Sequence, residues 1–148
     1  MARKIFFSFH HKGDGRRVAE VRKSKAVTDY KMNPLFESTK WESIKRQGDH
    51  AIKDWIDGQL RDASVTIVLI GKETGNKKWV NYEIKRSVEL GKGIIGVDIS
   101  KMKDKKGYVT EMGPNPLPSG YPVYSWTEDD GEANLGKWIE KASKSAGN

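Results

Sequence analysis

The sequence predicts an α/β protein with a central, mostly parallel sheet of about five strands and helices on both faces. Three short apolar runs, KIFFSF at 4–9, VTIVLI at 65–70 and GIIGVDI at 93–99, lack the alternation of a half-exposed strand and are typical of strands buried on both sides. The segments between them carry apolar residues at helical spacing. Because strands that alternate with helices pair in parallel through right-handed crossovers, a three-layer sandwich is expected.

Two helices between these strands have the clearest signals. The first is predicted to begin with Asp49 as its N-cap, and its apolar face consists of Ile52, Trp55, Ile56 and Leu60. The second follows the strand at 65–70 and is predicted to end at Gly91, with an inward stripe of Val80, Ile84 and Val88.

The remaining elements are predicted from weaker patterns. Residues 13–15, Gly-Asp-Gly, are expected to break the chain before a helix at 16–25, and a second short strand is expected at 35–38. An edge strand is expected at 121–126 and a closing helix at 134–144. Between them, residues 101–120 combine charges with three prolines, and loops of this length are usually functional or mobile.

Length and composition limit the class of protein. The 148 residues fit one domain, 1–148, and no apolar run is long enough for a membrane span or a signal peptide, so a cytoplasmic protein is expected. The net charge of +7 favours anionic partners, but acids are interleaved with the lysines and arginines, so a nucleic-acid interface is not expected. The absence of cysteine excludes disulfides and thiolate nucleophiles.

Several common chemistries lack their motifs. The sequence contains no G-x-G-x-x-G, no P-loop and no G-x-S-x-G elbow. His10 and His11 are adjacent at a predicted strand end, where neighbouring side chains point to opposite faces, so no metal site is expected. The chemistry that the sequence still allows is that of a carboxylate in a pocket at the edge of the sheet.

The carboxylate that stands out is Glu83. Ligands of open parallel sheets bind outside the C-terminal ends of the strands. The segments that follow the predicted strands, residues 9–11, 38–41, 71–79 and 98–100, are therefore expected to meet at this edge. On a helix projection Glu83 lies about 60° from Val80 and one turn beyond Trp79. It is therefore expected to face that crevice beside an aromatic wall.

These segments together resemble the Toll/interleukin-1 receptor (TIR) domain family, and specifically the short TIR-like proteins of the bacterial Thoeris antiphage system. KIFFSFHHKGDGRR is similar to the opening strand and loop of the family, and Trp79 and Glu83 match its W-x-x-x-E within VTIVLIGKETGNKKWVNYEI. GPNPLPSG and VYSWTEDDG resemble the Thoeris subgroup. The resemblance implies a flavodoxin-like TIR fold.

The resemblance also implies a function. Enzymatic TIR domains cleave NAD between nicotinamide and ribose, and some cyclise the ADP-ribose into a signal for a separate effector protein. By this resemblance Glu83 is the catalytic residue, while the substrate-binding residues are Phe9, His10, His11, Trp41 and Trp79. NAD is the substrate and no other cofactor is implied, whereas self-association with other TIR protomers is. The sequence departs from the usual pattern in its histidine after the first strand and in Tyr82 before the glutamate.

Other interpretations remain open from the residues alone. Glu83 could be a solvated acid near a helix N-terminus, and Trp79 could serve packing. At the level of function, the alternatives are a noncatalytic TIR adaptor that works by association, a regulatory domain that binds a nucleotide or flavin, and a protein whose basic surface holds nucleic acid.

Overall fold

The computed structural model describes residues 3–33 and 38–147 of the chain. The strands are β1 (Lys4–Ser8), β2 (Lys31–Met32), β3 (Val65–Ile70), β4 (Gly93–Asp98) and β5 (Val123–Ser125). The helices are α1 (His11–Lys23), α2 (Ser38–Arg46), α3 (Asp49–Arg61), α4 (Lys78–Glu89) and α5 (Gly131–Ser145).

The five strands form one parallel sheet in the order β2-β1-β3-β4-β5. This is the strand order of flavodoxin-like folds. The central strand β3 pairs with β1 from Ile5–Val65 to Ser8–Val68 and with β4 from Val65–Gly93 to Ile70–Asp98. The predicted α/β class and parallel sheet are confirmed.

Helices cover both faces of the sheet, as the buried clusters show. Alternate residues of β1, including Ile5 and Phe7, pack with α1 and α5 on one face. On the other face, Phe6 packs with α3, while Val68 and Ile70 pack with α4. Because every residue of β3 is buried, this strand must be apolar on both sides, and the run VTIVLI meets that demand.

Several boundaries differ from the sequence prediction. Residues 13–15 do not form the expected irregular segment before the helix, because α1 begins at His11 and Gly13 lies in its first turn at φ 95°. The expected strand at 35–38 is wrong at Ser38, which begins the unpredicted α2, while 35–37 lie outside the described residues. The second strand of the sheet is Lys31–Met32 instead.

Two predicted side-chain roles were also wrong. Asp49 is the first helical residue of α3 rather than its N-cap, and its carboxylate lies 2.5 Å from Lys78 Nζ. Val88 is 42% exposed instead of completing the inward stripe of α4. Each i+4 step along a helix advances about 40°, so Val88 has rotated well away from Val80. Gly91, at φ 70°, does follow α4 as the predicted stop.

The 101–120 loop is packed against the C-terminal edge of the sheet. Thr110 N donates to Ser100 O at 2.8 Å, and Gly113 N donates to Gly71 O at 3.1 Å. Two side chains of the loop itself, Met102 and Leu117, are buried. The loop therefore has a defined path across the residues that follow β3 and β4.

Gly113→Ala is expected to destabilise the fold by about 1–3 kcal/mol, the usual penalty of overpacking. A β-carbon at this position would overlap the backbone carbonyl of Lys72, which cannot rotate away. Urea denaturation measures the effect, with Gly15→Ala as the control because nothing lies within 4 Å of a β-carbon there. Equal stability of the two variants would contradict this reading of the loop.

Within the described parts of the chain, no helix is both long enough and apolar enough to cross a membrane.

Candidate active site

Glu83 lies in the second turn of α4 and is held by the end of β1. Ser8, the last residue of β1, donates a hydrogen bond from Oγ to Glu83 Oε1 at 2.6 Å. Glu83 is 9% exposed and Ser8 is fully buried. The alternative that Glu83 is a solvated acid near a helix N-terminus is therefore wrong.

The sheet and the helix place this pair by their own periodicities. Along β1, Ile5 and Phe7 point to the α1 and α5 face, so Ser8 points to the opposite face, where α4 lies. On α4, Val80 and Ile84 pack onto β3 and β4, and Glu83 lies beside them. Its position next to the apolar stripe brings its carboxylate to the C-terminal end of β1.

Burial controls the charge of Glu83. Desolvation raises the pKa of its carboxyl from 4.5 to about 8, while the hydrogen bond from Ser8 acts in the opposite direction. The carboxyl is therefore mainly protonated at neutral pH, and a positive charge nearby would favour its ionised form. A titratable group with so large a shift is typical of a functional site.

A chain of hydroxyls fixes the backbone of α4 at this point. Ser87 Oγ donates to the carbonyl oxygen of Glu83 at 2.7 Å, and it lies 2.7 Å from Thr66 Oγ1 on β3. All three residues are buried. These contacts tie the turn that carries Glu83 to the central strand.

Trp79 and Phe9 take packing positions. Trp79 is half-buried against the cluster around Phe6 and meets the Tyr82 ring edge-on, with centroids 5.8 Å apart. Phe9 is 7% exposed and belongs to the cluster on the α1 and α5 face, opposite the face that Ser8 shares with Glu83. Their contact with a substrate stays a prediction.

Of the remaining predicted residues, only His10 has a described side chain. His10 Nε2 lies 3.7 Å from Glu73 Oε2, so it connects the segment after β1 with the segment after β3. His11 is the first residue of α1 and Trp41 lies within α2, but their side chains lie outside the described residues. Their roles stay predictions too.

Tyr82, the residue before Glu83 that differs from the usual family pattern, points away from the Ser8–Glu83 pair. Its hydroxyl donates to Asp57 Oδ1 on α3 at 3.1 Å, and Arg86 Nε lies 3.0 Å from the same oxygen. The tyrosine therefore joins α4 to α3.

Sequence reasoning missed a buried ion pair at the same edge of the sheet. Arg17 Nη1 lies 2.8 Å from Asp14 Oδ1, with side chains only 5% and 6% exposed. Arg17 also donates to the carbonyl oxygens of Met102 at 2.8 Å and Tyr108 at 3.0 Å. The pair thus connects α1 to the 101–120 loop.

Asp14 also touches the segment after β3. A β-carbon on Gly71 would overlap the Asp14 carboxylate, so the glycine permits this approach. Burial raises the pKa of Asp14 and outweighs the opposing effect of Arg17. The only sequence signal was the i, i+3 spacing of acid and base in GDGRR, which spans the break expected at 13–15 and the start of the helix expected at 16–25.

Comparisons of the sequence with known proteins identify a family. The model of the family "Thoeris protein ThsB, TIR-like domain" matches residues 6–104. The chain belongs to the ThsB TIR-like family. The match contains Ser8, Asp14, Arg17 and Glu83, so both buried polar contacts of the site lie within the family region.

A curated relative extends the similarity over most of the chain. The Bacillus cereus (strain MSX-D12) protein "Putative cyclic ADP-D-ribose synthase ThsB1" is 39% identical over 140 residues, which cover 93% of this chain and 72% of that protein. The ThsB-type likeness therefore continues beyond residue 104 into the second half of the loop and into β5 and α5.

Proposed function

We propose that the chain is a TIR-type enzyme that cleaves NAD between nicotinamide and ribose and closes the ADP-ribose into a cyclic signal for antiphage defence. The observation that carries the proposal is the buried carboxylate of Glu83, fixed 2.6 Å from Ser8 Oγ at the C-terminal edge of a parallel sheet. The name of the relative, "Putative cyclic ADP-D-ribose synthase ThsB1", supports the same reaction.

Glu83 is the catalytic residue in this proposal. When the bond between nicotinamide and ribose breaks, its electron pair leaves with the nicotinamide nitrogen, and the ribose develops oxocarbenium character. An ionised carboxylate stabilises that positive charge, and most strongly where water is excluded. The positively charged nicotinamide ring of bound NAD lowers the pKa of Glu83 and so favours its ionised form.

Cyclisation requires that a group of the same molecule replaces water as the nucleophile. A nitrogen or hydroxyl of the ADP-ribose forms the new bond to the ribose carbon and loses a proton, so the product has the mass of ADP-ribose less water. The 101–120 loop, fixed by Arg17 and by Gly71, would limit the access of water on the β3 and β4 side.

His10, His11, Phe9, Trp41 and Trp79 are proposed to shape or support the NAD site. Among them His10 is the best placed, because it bridges the segments after β1 and β3 beside Asp14 and Glu73. NAD is the substrate, and the cyclic product is proposed to act on a separate effector protein.

A second candidate function is a noncatalytic adaptor that works through association. The observation in its favour is the tip of the 101–120 loop, where Tyr108 is 66% exposed and Val109 is 55% exposed. Exposed apolar side chains on a fixed loop are typical of interaction sites. Under this alternative Glu83→Gln leaves function intact, whereas Tyr108→Ser with Val109→Ser abolishes it.

The test is incubation of the purified protein with NAD at high protein concentration, followed by chromatography with mass detection. We expect release of nicotinamide together with a product of ADP-ribose mass less water, and loss of both with Glu83→Gln. Since activation can require infection, the same products are measured in extracts of infected cells that express each form. Equal products from the wild type and the variant in both settings would overturn the role of Glu83.

Ser8→Ala is expected to move the pH dependence of NAD cleavage upwards by about one unit. Removing the Ser8 hydrogen bond raises the pKa of Glu83 further, so less of the ionised form is present at neutral pH. The measurement is kcat/KM from pH 6 to 10, with the exposed Thr28→Ala as the control. A lower rate without a shift of the profile would assign Ser8 to packing alone.

A further inference from the structure

A second concave region lies at the opposite edge of the sheet from Glu83. It is a solvent-open groove of about 660 Å³ between the ends of α4 and α5, and its floor is the start of β4 at Gly93, Ile94 and Ile95. Ser8, which donates to Glu83, pairs with Val68 of β3, and Val68 pairs with Gly96 of β4. Ser8 therefore lies two strands from β4 and nearer the C-terminal strand ends than the residues that form the floor of the groove. No residue of the Ser8–Glu83 or Asp14–Arg17 pairs lines the groove.

The lining of the groove is mostly apolar and aromatic. Tyr124 and Trp138 both line it, and their rings stack on each other with centroids 4.1 Å apart and an angle of 4° between planes. Tyr121 and Pro122 continue the wall, and Val88 lies at the end of α4. This combination of volume and lining is typical of sites for small molecules with planar rings.

The charge of the lining has one sign. Lys92 and Lys141 line the groove, and none of the lining residues is an aspartate or glutamate. Lys92 is held in place because its Nζ donates to Arg61 O at 3.1 Å, and burial lowers the pKa of this ammonium group. Asp62 is a neighbouring negative charge that acts on Lys92, whereas the exposed Lys141 lies among lining residues that include no acid, so Lys141 is the charge that favours an anionic occupant.

The ends of two helices do not reverse this preference. Helix C-termini carry about half a negative charge each, but here several of the terminal carbonyls are already bonded. Lys92 N donates to Ser87 O at 3.0 Å, and Ala146 N donates to Ala142 O at 3.1 Å. The full charge of Lys141 therefore outweighs the partial charges of the helix ends.

From these observations we propose that the groove between α4 and α5 is a second ligand site, which binds a planar aromatic molecule that carries a negative charge. The site is separate from the Glu83 crevice and does not depend on the proposed reaction. Because Val88 lies in the last turn of the helix that carries Glu83 and Gly91 follows that helix, the ligand would contact the end of α4, about one and a half turns from Glu83.

The test compares two fluorescent probes that share an anilinonaphthalene ring system. 8-Anilinonaphthalene-1-sulfonate is anionic, and N-phenyl-1-naphthylamine is its neutral counterpart. We expect one equivalent of the anionic probe to bind the native protein in a saturable manner and at least about tenfold more tightly than the neutral one. Equal affinity of the two probes would overturn the requirement for charge.

Variants locate the bound probe. Ser145→Trp places a large side chain in the groove and is expected to abolish binding, while Lys141→Met is expected to weaken only the anionic probe, by about fivefold. Lys137→Met, a change at an exposed residue of α5 outside the lining, is the matched control.

Two controls distinguish a loss of probe binding from unfolding of the variant and from an effect on the NAD site. Circular dichroism and the thermal midpoint establish that each variant is folded, and the probe titrations are made well below that midpoint. Retained binding in folded Ser145→Trp, or several weak equivalents instead of one, would overturn the proposal. NAD cleavage by Ser145→Trp is measured in parallel and is expected to be unchanged.

Discussion

Glu83→Gln is expected to lower the rate of NAD cleavage on the order of a thousandfold while it increases the stability of the fold. Glutamine keeps the shape of the side chain and an oxygen that can accept from Ser8 Oγ, but it cannot carry the negative charge that the oxocarbenium-like ribose requires. The loss is expected in kcat, because the carboxylate acts on charge that develops during the reaction.

The gain in stability follows from the raised pKa of Glu83. Between 4.5 and about 8 the folded protein keeps this carboxyl protonated, whereas the unfolded chain ionises it. The folded state therefore binds more protons in this window, and the free energy of unfolding falls as pH rises through it. Glutamine removes that dependence, and the expected gain at pH 7 is on the order of 3 kcal/mol, since one pKa unit corresponds to about 1.4 kcal/mol.

Urea denaturation at pH 4.5 and pH 8 measures the effect. We expect the variant and the wild type to be similar at pH 4.5 and to diverge at pH 8. Glu89→Gln, a change at an exposed acid of the same helix, is the control and should show no such divergence. A difference in stability that is independent of pH would mean that Glu83 does not have the raised pKa, whatever its role in turnover.

Arg17→Met is expected to destabilise the fold by about 3–5 kcal/mol, the range for breaking a buried ion pair from one side. The substitution leaves the Asp14 carboxylate buried without its counter-charge, and it removes the donors to the carbonyl oxygens of Met102 and Tyr108. Methionine fills much of the volume of the arginine stem, so the effect is mainly electrostatic.

The sign of the pH dependence distinguishes this cause from lost packing. Without Arg17 the pKa of Asp14, already raised by burial, rises further, so the variant loses more stability as pH increases above the usual range of an aspartate. Asp14→Asn combined with Arg17→Met removes the buried charge and is expected to recover part of the loss.

The neighbouring Arg16→Met is the matched control. Arg16 and Glu20 form an exposed pair at 3.7 Å, with side chains 56% and 51% exposed. Exposed pairs contribute about 1 kcal/mol or less. If Arg17→Met and Arg16→Met changed the free energy of unfolding equally, the Asp14–Arg17 pair would not stabilise the fold.

Local pattern in the sequence was sufficient for the framework of the fold. Buried strands such as β3 and β4 are readable because apolar residues run without alternation, and α3 is readable because Ile52, Ile56 and Leu60 recur on one face. Such patterns reflect the fixed periods of strand and helix. These patterns failed at α2, which is short, and at α1, where two glycines lie inside the helix and suggested a turn.

The sequence by itself determined the α/β class, the parallel sheet and Glu83 as the candidate carboxylate, because periodicity and the W-x-x-x-E spacing are local properties. Tertiary structure alone decided that this carboxylate is buried against Ser8, 75 residues away, and that Arg17, paired with Asp14, binds a loop 85 to 91 residues distant. The pKa of Glu83 depends on which groups displace water around it, and that environment exists only once β1, β3 and α4 have packed together.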